Sequence, residues 1–396
     1  MIAFIFLLLP AVILALQDTT CPEHWPTPET RFGRESCSCE TVRGTGLRIK
    51  CSWLATWPVS TSSNTQELLL DGTRANTTIQ SYRLGQFAPD LRVYSCCDCG
   101  ITSIEQLAFL GLHHIKTIRL RENSIRTIKK HAFLGLKNLD ELSLERSEIF
   151  TIESQAFYGL FNVGVFDLTG NTLYDIQINA FENVTLINQL VFNQIKTERL
   201  KSYSLKGLKH IGLISFTHSE IRKLEEYSFF GVENITTINF HSSKLRDILP
   251  YAFVGLGKVG SIKMKSTSIS TLTCEALEGL DCVKSVDWTL SPFRCDCNIQ
   301  WMIELTANIS LDIIKGMKCA SPYQFRNRNP FELERNELGC LDEERFMGCA
   351  RLDTRYPRVK ALERYIDEIR RPNSSATYDT FSFGLLFLTA LLYFIH

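Results

Sequence analysis

From Leu91 onward the apolar residues return every 24 positions, and cutting there gives eight blocks without insertion, ending at Cys282. The first block is "LRVYSCCDCGITSIEQLAFLGLHH" and the last "VGSIKMKSTSISTLTCEALEGLDC". Positions 1, 4 and 6 of each block are apolar almost throughout; position 4 reads Tyr94, Ile118, Leu142, Phe166, Leu190, Ile214, Ile238, Ile262. Alternation at 4 and 6 is the period of a strand with one face buried. Positions 11 and 14 are nearly all Ile or Leu, position 19 is Phe or Leu, and position 21 is Gly in seven of the eight blocks. The stretch Thr65–Asp90 reads as a degenerate block ahead of them.

A single block cannot bury these side chains, but stacked blocks turn each position into a continuous interior row. Each fully buried Leu, Ile or Phe then contributes roughly 1.5–3 kcal/mol before entropy is counted. Gly at position 21 suits a turn that needs positive φ or close backbone approach. The pattern therefore predicts a solenoid whose strands line one face.

The run LxxLxLxxNxIxxIxxxAFxGLxx resembles the extracellular leucine-rich repeat family over Leu91–Cys282. The resemblance implies an α/β solenoid, curved, with a parallel sheet on its concave face. The family's Asn at position 9, which bonds backbone between turns, stands here at Asn123 and Asn171, while Cys99, Ser147, Ser219, Ser243 and Thr267 replace it with smaller groups. Ile195 at position 9 and Thr197 at position 11 break the pattern in the fifth block, where a local irregularity is expected.

Both open ends of such an array need covering. "PFRCDCNIQW" followed by Cys319 and Cys340 resembles the family's C-terminal cysteine-rich cap, and "CSCETVRGTGLRIKC" its N-terminal one. The resemblance implies the pairs Cys295–Cys319, Cys297–Cys340, Cys21–Cys39 and Cys37–Cys51. The CxC spacing is also compatible with zinc, but an exported chain favours disulfides. Among the other cysteines, Cys96 and Cys99 fall on interior positions as free thiols or a local pair, Cys97 faces the concave side, Cys274 and Cys282 share one block as a possible pair, and Cys349 has no obvious partner.

Export is read from the first 16 residues, "MIAFIFLLLPAVILAL", an apolar run too short to span a bilayer and followed by polar "QDTT". Ala15 and Ile13 suit the cleavage site. N-x-S/T triplets at Asn76, Asn183, Asn234, Asn308 and Asn373 agree with export and mark candidate N-glycosylation sites. The resulting layout is residues 1–16 signal peptide, 17–64 N-terminal cap, 65–290 repeats, 291–349 C-terminal cap, 350–380 stalk and 381–396 hydrophobic tail. In the stalk, Val359, Leu362, Ile366 and Ile369 recur at helical spacing after Pro357. Small residues "NSSA", a polar spacer and the apolar run Phe381–Ile395 have the shape of a lipid-attachment signal, with Ser374 and then Asn373 as attachment residue; a minimal transmembrane anchor is the alternative. The arrangement resembles that of lipid-anchored repeat proteins of the cell surface.

Charge excludes one class of partner: Lys+Arg and Asp+Glu are both 43, which argues against nucleic acid. No catalytic or cofactor motif survives inspection. "GLGKVG" at Gly255–Gly260 runs from a turn into a strand, the reverse of a dinucleotide fingerprint, so neither an enzyme nor a cofactor is expected. What remains is surface. Positions 2, 3, 5, 7 and 8 should line the concave face, where Arg92, Lys116, Arg119, Arg121 and Glu122 abut Asp140, Glu141, Glu145 and Arg146. The middle is neutral, and the eighth block turns basic with Lys263 and Lys265. Asn183 at position 21 and Asn234 at position 24 should fall off the strand and leave that face clear. The expectation is an extracellular, membrane-tethered protein that binds a protein ligand or co-receptor there, in adhesion, guidance or co-reception. The alternatives are a matrix protein or a non-catalytic accessory subunit.

Overall fold

The computed structural model describes residues 36–42, 46–53, 64–72, 78–272, 276–299, 314–334 and 336–338. The chain divides into two units, Met1–Leu341 and Asp342–His396, and the second lies outside the described residues. So do the signal segment, Cys21, Asn76, Cys274, Asn308, Cys340, Cys349, the stalk, Asn373, Ser374 and the hydrophobic tail. No helix among the described residues is long and apolar enough to cross a membrane.

The first unit is a leucine-rich repeat solenoid, built on one sheet that among the described residues has thirteen strands following one another in chain order. Ser36–Val42 pairs antiparallel with Gly46–Ser52, and every later neighbour is parallel. From Val93–Cys97 to Val286–Asp287 the register advances 24 residues per strand, as in Phe166↔Leu190 and Ile214↔Ile238. Positions 4 and 6 point inward and are fully covered, for instance Leu142, Leu144, Phe166 and Leu168, each 0% exposed. Position 19 forms a stacked spine inside: Phe109, Phe133, Phe157 and Phe181 have centroids 5.1, 5.2 and 5.4 Å apart. Where Leu205 interrupts the spine, Phe192, Phe216 and Phe240 at position 6 take up the stacking, 5.0 and 5.1 Å apart.

Position 9 stitches adjacent turns. Asn171 accepts from the Ser147 and Ile149 amides through Oδ1 (3.0 and 3.1 Å) and donates through Nδ2 to the Leu144 and Leu168 carbonyls (2.9 and 2.8 Å). Asn123 does the same for Cys99 and Ile101. The hydroxyls of Ser147, Ser219, Ser243 and Thr267 each donate to the carbonyl 27 residues earlier. Ser291 Oγ repeats that bond to Met264, so a ninth turn follows the eight regular blocks, with Trp288 buried at position 6.

The fifth block is irregular: Ile195 at position 9 has no side-chain donor or acceptor to stitch adjacent turns, and the convex strands change sheet here. On the convex side, two-residue strands at positions 13 and 14 form one sheet that ends at Asp175–Ile176. A second sheet of longer strands begins at Lys196–Leu200. Regular α-helix among the described residues is confined to Arg83–Phe87.

The turn at position 21 lies at positive φ in every block, including Asn183 at φ 57° in the one block without Gly. At Gly207 a Cβ would meet the Phe181 carbonyl oxygen at 2.6 Å. The strands start earlier than the sequence suggests. Leu208–Ser215 and Glu233–Asn239 begin at positions 22 and 23, so Asn234 lies inside a strand rather than beyond it, at φ 56° near its first residue.

Disulfides Cys37–Cys51 and Cys295–Cys319 stand at the two ends, the second beside a small parallel pair of strands, Pro292–Arg294 and Lys318–Ser321. Cys39 and Cys297 are also disulfide-bonded. Cys96 and Cys99 form a local pair. Cys97 is a half-buried free thiol, and Cys282 an exposed one, so the possible Cys274–Cys282 pair is not formed.

Candidate functional site

The strands Thr117–Arg119 and Lys137–Ser143 bring most of the expected charged residues together. Arg119 donates to Glu141 Oε2 through Nε (2.9 Å) and Nη2 (2.5 Å). Arg121 Nη2 reaches the other oxygen of the same carboxylate at 3.2 Å. Arg121 Nε donates to Ser143 Oγ at 3.3 Å and lies 3.7 Å from Glu145 Oε2. Arg146 closes the chain, 3.5 Å from Glu145 and 3.6 Å from Glu122. Three guanidiniums and three carboxylates thus form one neutral network across adjacent turns. The other expected residues stand outside it: Lys116 Nζ donates to the Asn138 carbonyl at 3.0 Å, and no ion pair involves Arg92, Lys116 or Asp140 among the described residues.

The backbone sets this geometry. Side chains at positions 3, 5 and 7 share one face because strand residues alternate. The register puts Thr117 beside Glu141 and Arg119 beside Ser143, so the Arg119–Glu141 contact is a diagonal between neighbouring strands. Position 8 turns the chain at positive φ, 57° at Glu122 and 50° at Arg146, and the Glu122 amide donates to the Glu145 carbonyl. At position 5 the small side chains Ser95, Ser143 and Ser215 lie covered beneath their neighbours, while the longer Arg119 and Lys263 reach the surface of the face.

Electrostatics follow from the pairing. Partial burial pushes the Glu141 carboxyl up, and Arg119 with Arg121 outweighs it, so Glu141 sits below the usual carboxylate range. The hydrogen bond to Glu141 raises the Arg119 guanidinium further. Exposed ion pairs contribute little to stability, about 0–1 kcal/mol each. What this network supplies is order: long side chains held in one arrangement lose less freedom when a partner lands on them.

Beyond the network the face mixes polar residues with the apolar Val165, Val191 and Leu213. Asn193 Oδ1 accepts from Ser215 Oγ at 2.7 Å and from the Thr217 amide at 2.9 Å. Asp167, Asn239 and Asp287 at position 5 each accept from the amide two residues on, which closes the end of their strands. Sequence reasoning missed these turns, though Asp or Asn at a strand end is their usual signal. Asn183 and Asn234 are exposed, at the margin of the sheet.

Comparison with protein-family models agrees with the repeat fold. A family model described as BspA type leucine rich repeat region matches residues 97–211 and 175–291, in six copies. No curated protein matches the sequence. Among solved structures, a chain of the octameric complex of latrophilin 3 (Lec, Olf), Unc5D (Ig, Ig2, TSP1) and FLRT2 (LRR) is similar at 17% identity and TM-score 0.47, over 73% of this chain and 94% of that one. Human 5T4 (Wnt-activated inhibitory factor 1, trophoblast glycoprotein) is similar at 19% identity and TM-score 0.40, over 62% of this chain and 93% of that one.

Proposed function

We propose that this chain, which belongs to the leucine-rich repeat proteins, works outside the cell as a binding protein whose protein partner seats on the concave sheet over the first three regular repeats. The observation that carries this reading is the network Arg119–Glu141–Arg121–Glu145–Arg146–Glu122. It presents both signs of charge on a rigid curved sheet, and complementary charge fixes register and suppresses wrong partners. Arginine is enriched at protein interfaces and in their energetic centres. The half-buried guanidiniums keep donors free: Arg119 uses Nε and Nη2 toward Glu141, leaving Nη1 for a partner's carboxylate or carbonyl. An extracellular location is supported by the disulfides, which persist in oxidising compartments.

Tethering belongs to the same reading. The apolar tail acts as a lipid-attachment signal with Ser374 as its acceptor, so the ectodomain stands on the membrane and signals through a transmembrane partner. Phosphatidylinositol-specific phospholipase should release it from cells; retention with the tail still attached would point to a membrane-spanning anchor.

The binding test uses proximity labelling from the full chain on living cells to identify the partner. Affinity is then measured for the double substitution Arg119→Gln, Arg121→Gln. A loss of at least about tenfold, or about 1.4 kcal/mol, is expected together with a weaker salt dependence. Unchanged affinity in a folded variant would rule this surface out.

A further inference from the structure

The opposite end of the concave sheet carries an excess of positive charge. Lys263 ends the strand Val259–Lys263, Lys265 follows two residues on, Lys284 precedes the strand Val286–Asp287, and Lys315 ends the strand Ile314–Lys315. All four are exposed. Register sets Lys263, Asp287 and Lys315 side by side in one row. At the usual strand spacing the two lysines stand about 10 Å apart, across one aspartate. Lys265 shares the face of Lys263 by alternation.

None of these four lysines makes an ion pair among the described residues, whereas Arg119, Arg121 and Arg146 are each matched by a glutamate within 2.5–3.7 Å. Asp287 is the single carboxylate in the row, and its Oδ1 accepts from both the amide and the hydroxyl of Thr289. Partial burial pushes that carboxyl up, while the Thr289 hydrogen bonds and the charges of Lys265 and Lys263 hold it below its ordinary value. It therefore stays ionised and offsets one lysine, leaving three net positive charges open to solvent.

The surroundings distinguish between anionic partners. Thr237, Asn239, His241, Ser261 and Ser285 occupy positions 3, 5 and 7 nearby, and Thr237 Oγ1 lies 3.2 Å from Ser261 Oγ. Among the described residues no exposed large apolar side chain stands at positions 3, 5 and 7 here; the exposed Leu290 lies in the turn after Val286–Asp287. Protein interfaces draw their energy from buried aromatic, apolar and arginine anchors, and this stretch offers none. It offers hydroxyls, amides and point-like ammonium charges on flexible stems, which tolerate variable anion spacing. That is the complement of a hydroxyl-rich chain bearing dense sulfates.

We propose that this end of the concave sheet binds a sulfated polysaccharide through Lys263, Lys265, Lys284 and Lys315, separately from the protein site over the first three repeats. The test measures binding of the detergent-extracted full chain to a heparin octasaccharide over a range of salt. Wild-type protein should bind, and Lys263→Gln with Lys265→Gln should weaken binding at least tenfold. The slope of log K against log salt should become shallower by about two, near one for each lysine removed. Lys284→Gln with Lys315→Gln, tested as an independent pair, should act alike. Arg119→Gln with Arg121→Gln should leave heparin binding unchanged, which separates failure here from failure of the protein site. No binding by wild type, or binding indifferent to both lysine pairs, would overturn the proposal. So would competition by polyglutamate as effective as by heparin, which would mean an acidic peptide instead.

Discussion

Replacing Asn171 by Ala should be among the most damaging single changes in the solenoid. The side chain is 1% exposed; it accepts from the Ser147 and Ile149 amides, donates to the Leu144 and Leu168 carbonyls at 2.9 and 2.8 Å, and reaches the Thr169 carbonyl at 3.4 Å. Alanine leaves two buried amides and two carbonyls without these partners. Each buried orphan donor costs about 1–3 kcal/mol, and the carbonyls, with a second lone pair to use, cost less. The expected loss is about 3–6 kcal/mol, a large share of the 5–15 kcal/mol typical of a domain. Serine should recover part of it. Ser219 shows how: its Oγ accepts from the Ile195 amide at 3.2 Å and donates to the Phe192 carbonyl at 2.9 Å, half of what Asn171 does. Asn171→Ser should therefore lose about 1–3 kcal/mol. Urea unfolding gives the magnitudes, and amide exchange at Ser147 and Ile149 reports the orphaned donors directly. An alanine variant within 0.5 kcal/mol of wild type, or serine no better than alanine, would refute the stitching role.

Other expectations concern the spine, a cap and the charge network. Phe157→Ala should cost about 3–5 kcal/mol, because the ring is 0% exposed between Phe133 and Phe181. Phe157→Leu should cost under about 1.5 kcal/mol, since Leu205 fills the same position in another turn; equal losses by thermal melting would count against the stacked spine. Cys295→Ser should lower stability by about 2–5 kcal/mol and reduce secretion; normal secretion would mean that the Cys295–Cys319 bond is dispensable to the C-terminal end. Because Glu141 is depressed in the folded state, its contribution is present above the ordinary glutamate pKa, about 4.3, and is lost as pH falls through the lower folded value. Resistance to urea unfolding should thus hold at pH 5 and decline in stronger acid, and Glu141→Gln should make that decline smaller.

Much of the fold was legible because a repeat makes each position appear eight times. Inward alternation at positions 4 and 6, the turn at Gly111 and its counterparts, and the break at Ile195 all correspond to observed features. The convex strands were not legible: at positions 13 and 14 they are two residues long in the first repeats, too short to produce a period. Strands that begin at positions 22 and 23 escaped notice for a related reason. Position 24 carries Asn138, Asn162, Leu186, His210 and Asn234 at positive φ inside a strand, a conformation that Asn announces at three of the five and that Leu186 does not. The candidate site was legible as a set of columns, not as contacts. Arg121 and Glu141 differ by 20 residues, and only the register makes them neighbours. Likewise, the open state of Lys263 and Lys265 depends on which side chains the adjacent strands carry, and Lys315 enters the row through a strand beyond the regular repeats.

The concave-face claim is tested most directly by a glycan wedge. Glu141→Asn creates an acceptor triplet in one step, because Ser143 already stands two residues on, and it places a bulky glycan over the centre of the network. Ser268→Asn does the same on the convex strand Ser268–Leu272, where Ser270 completes the triplet. With both glycans verified by mass and both proteins secreted normally, the Glu141 wedge should abolish binding to the cell-surface partner and the Ser268 wedge should leave it intact. Undiminished binding by the glycosylated Glu141 variant, or loss of binding in the Ser268 variant alone, would contradict a partner site on the concave face.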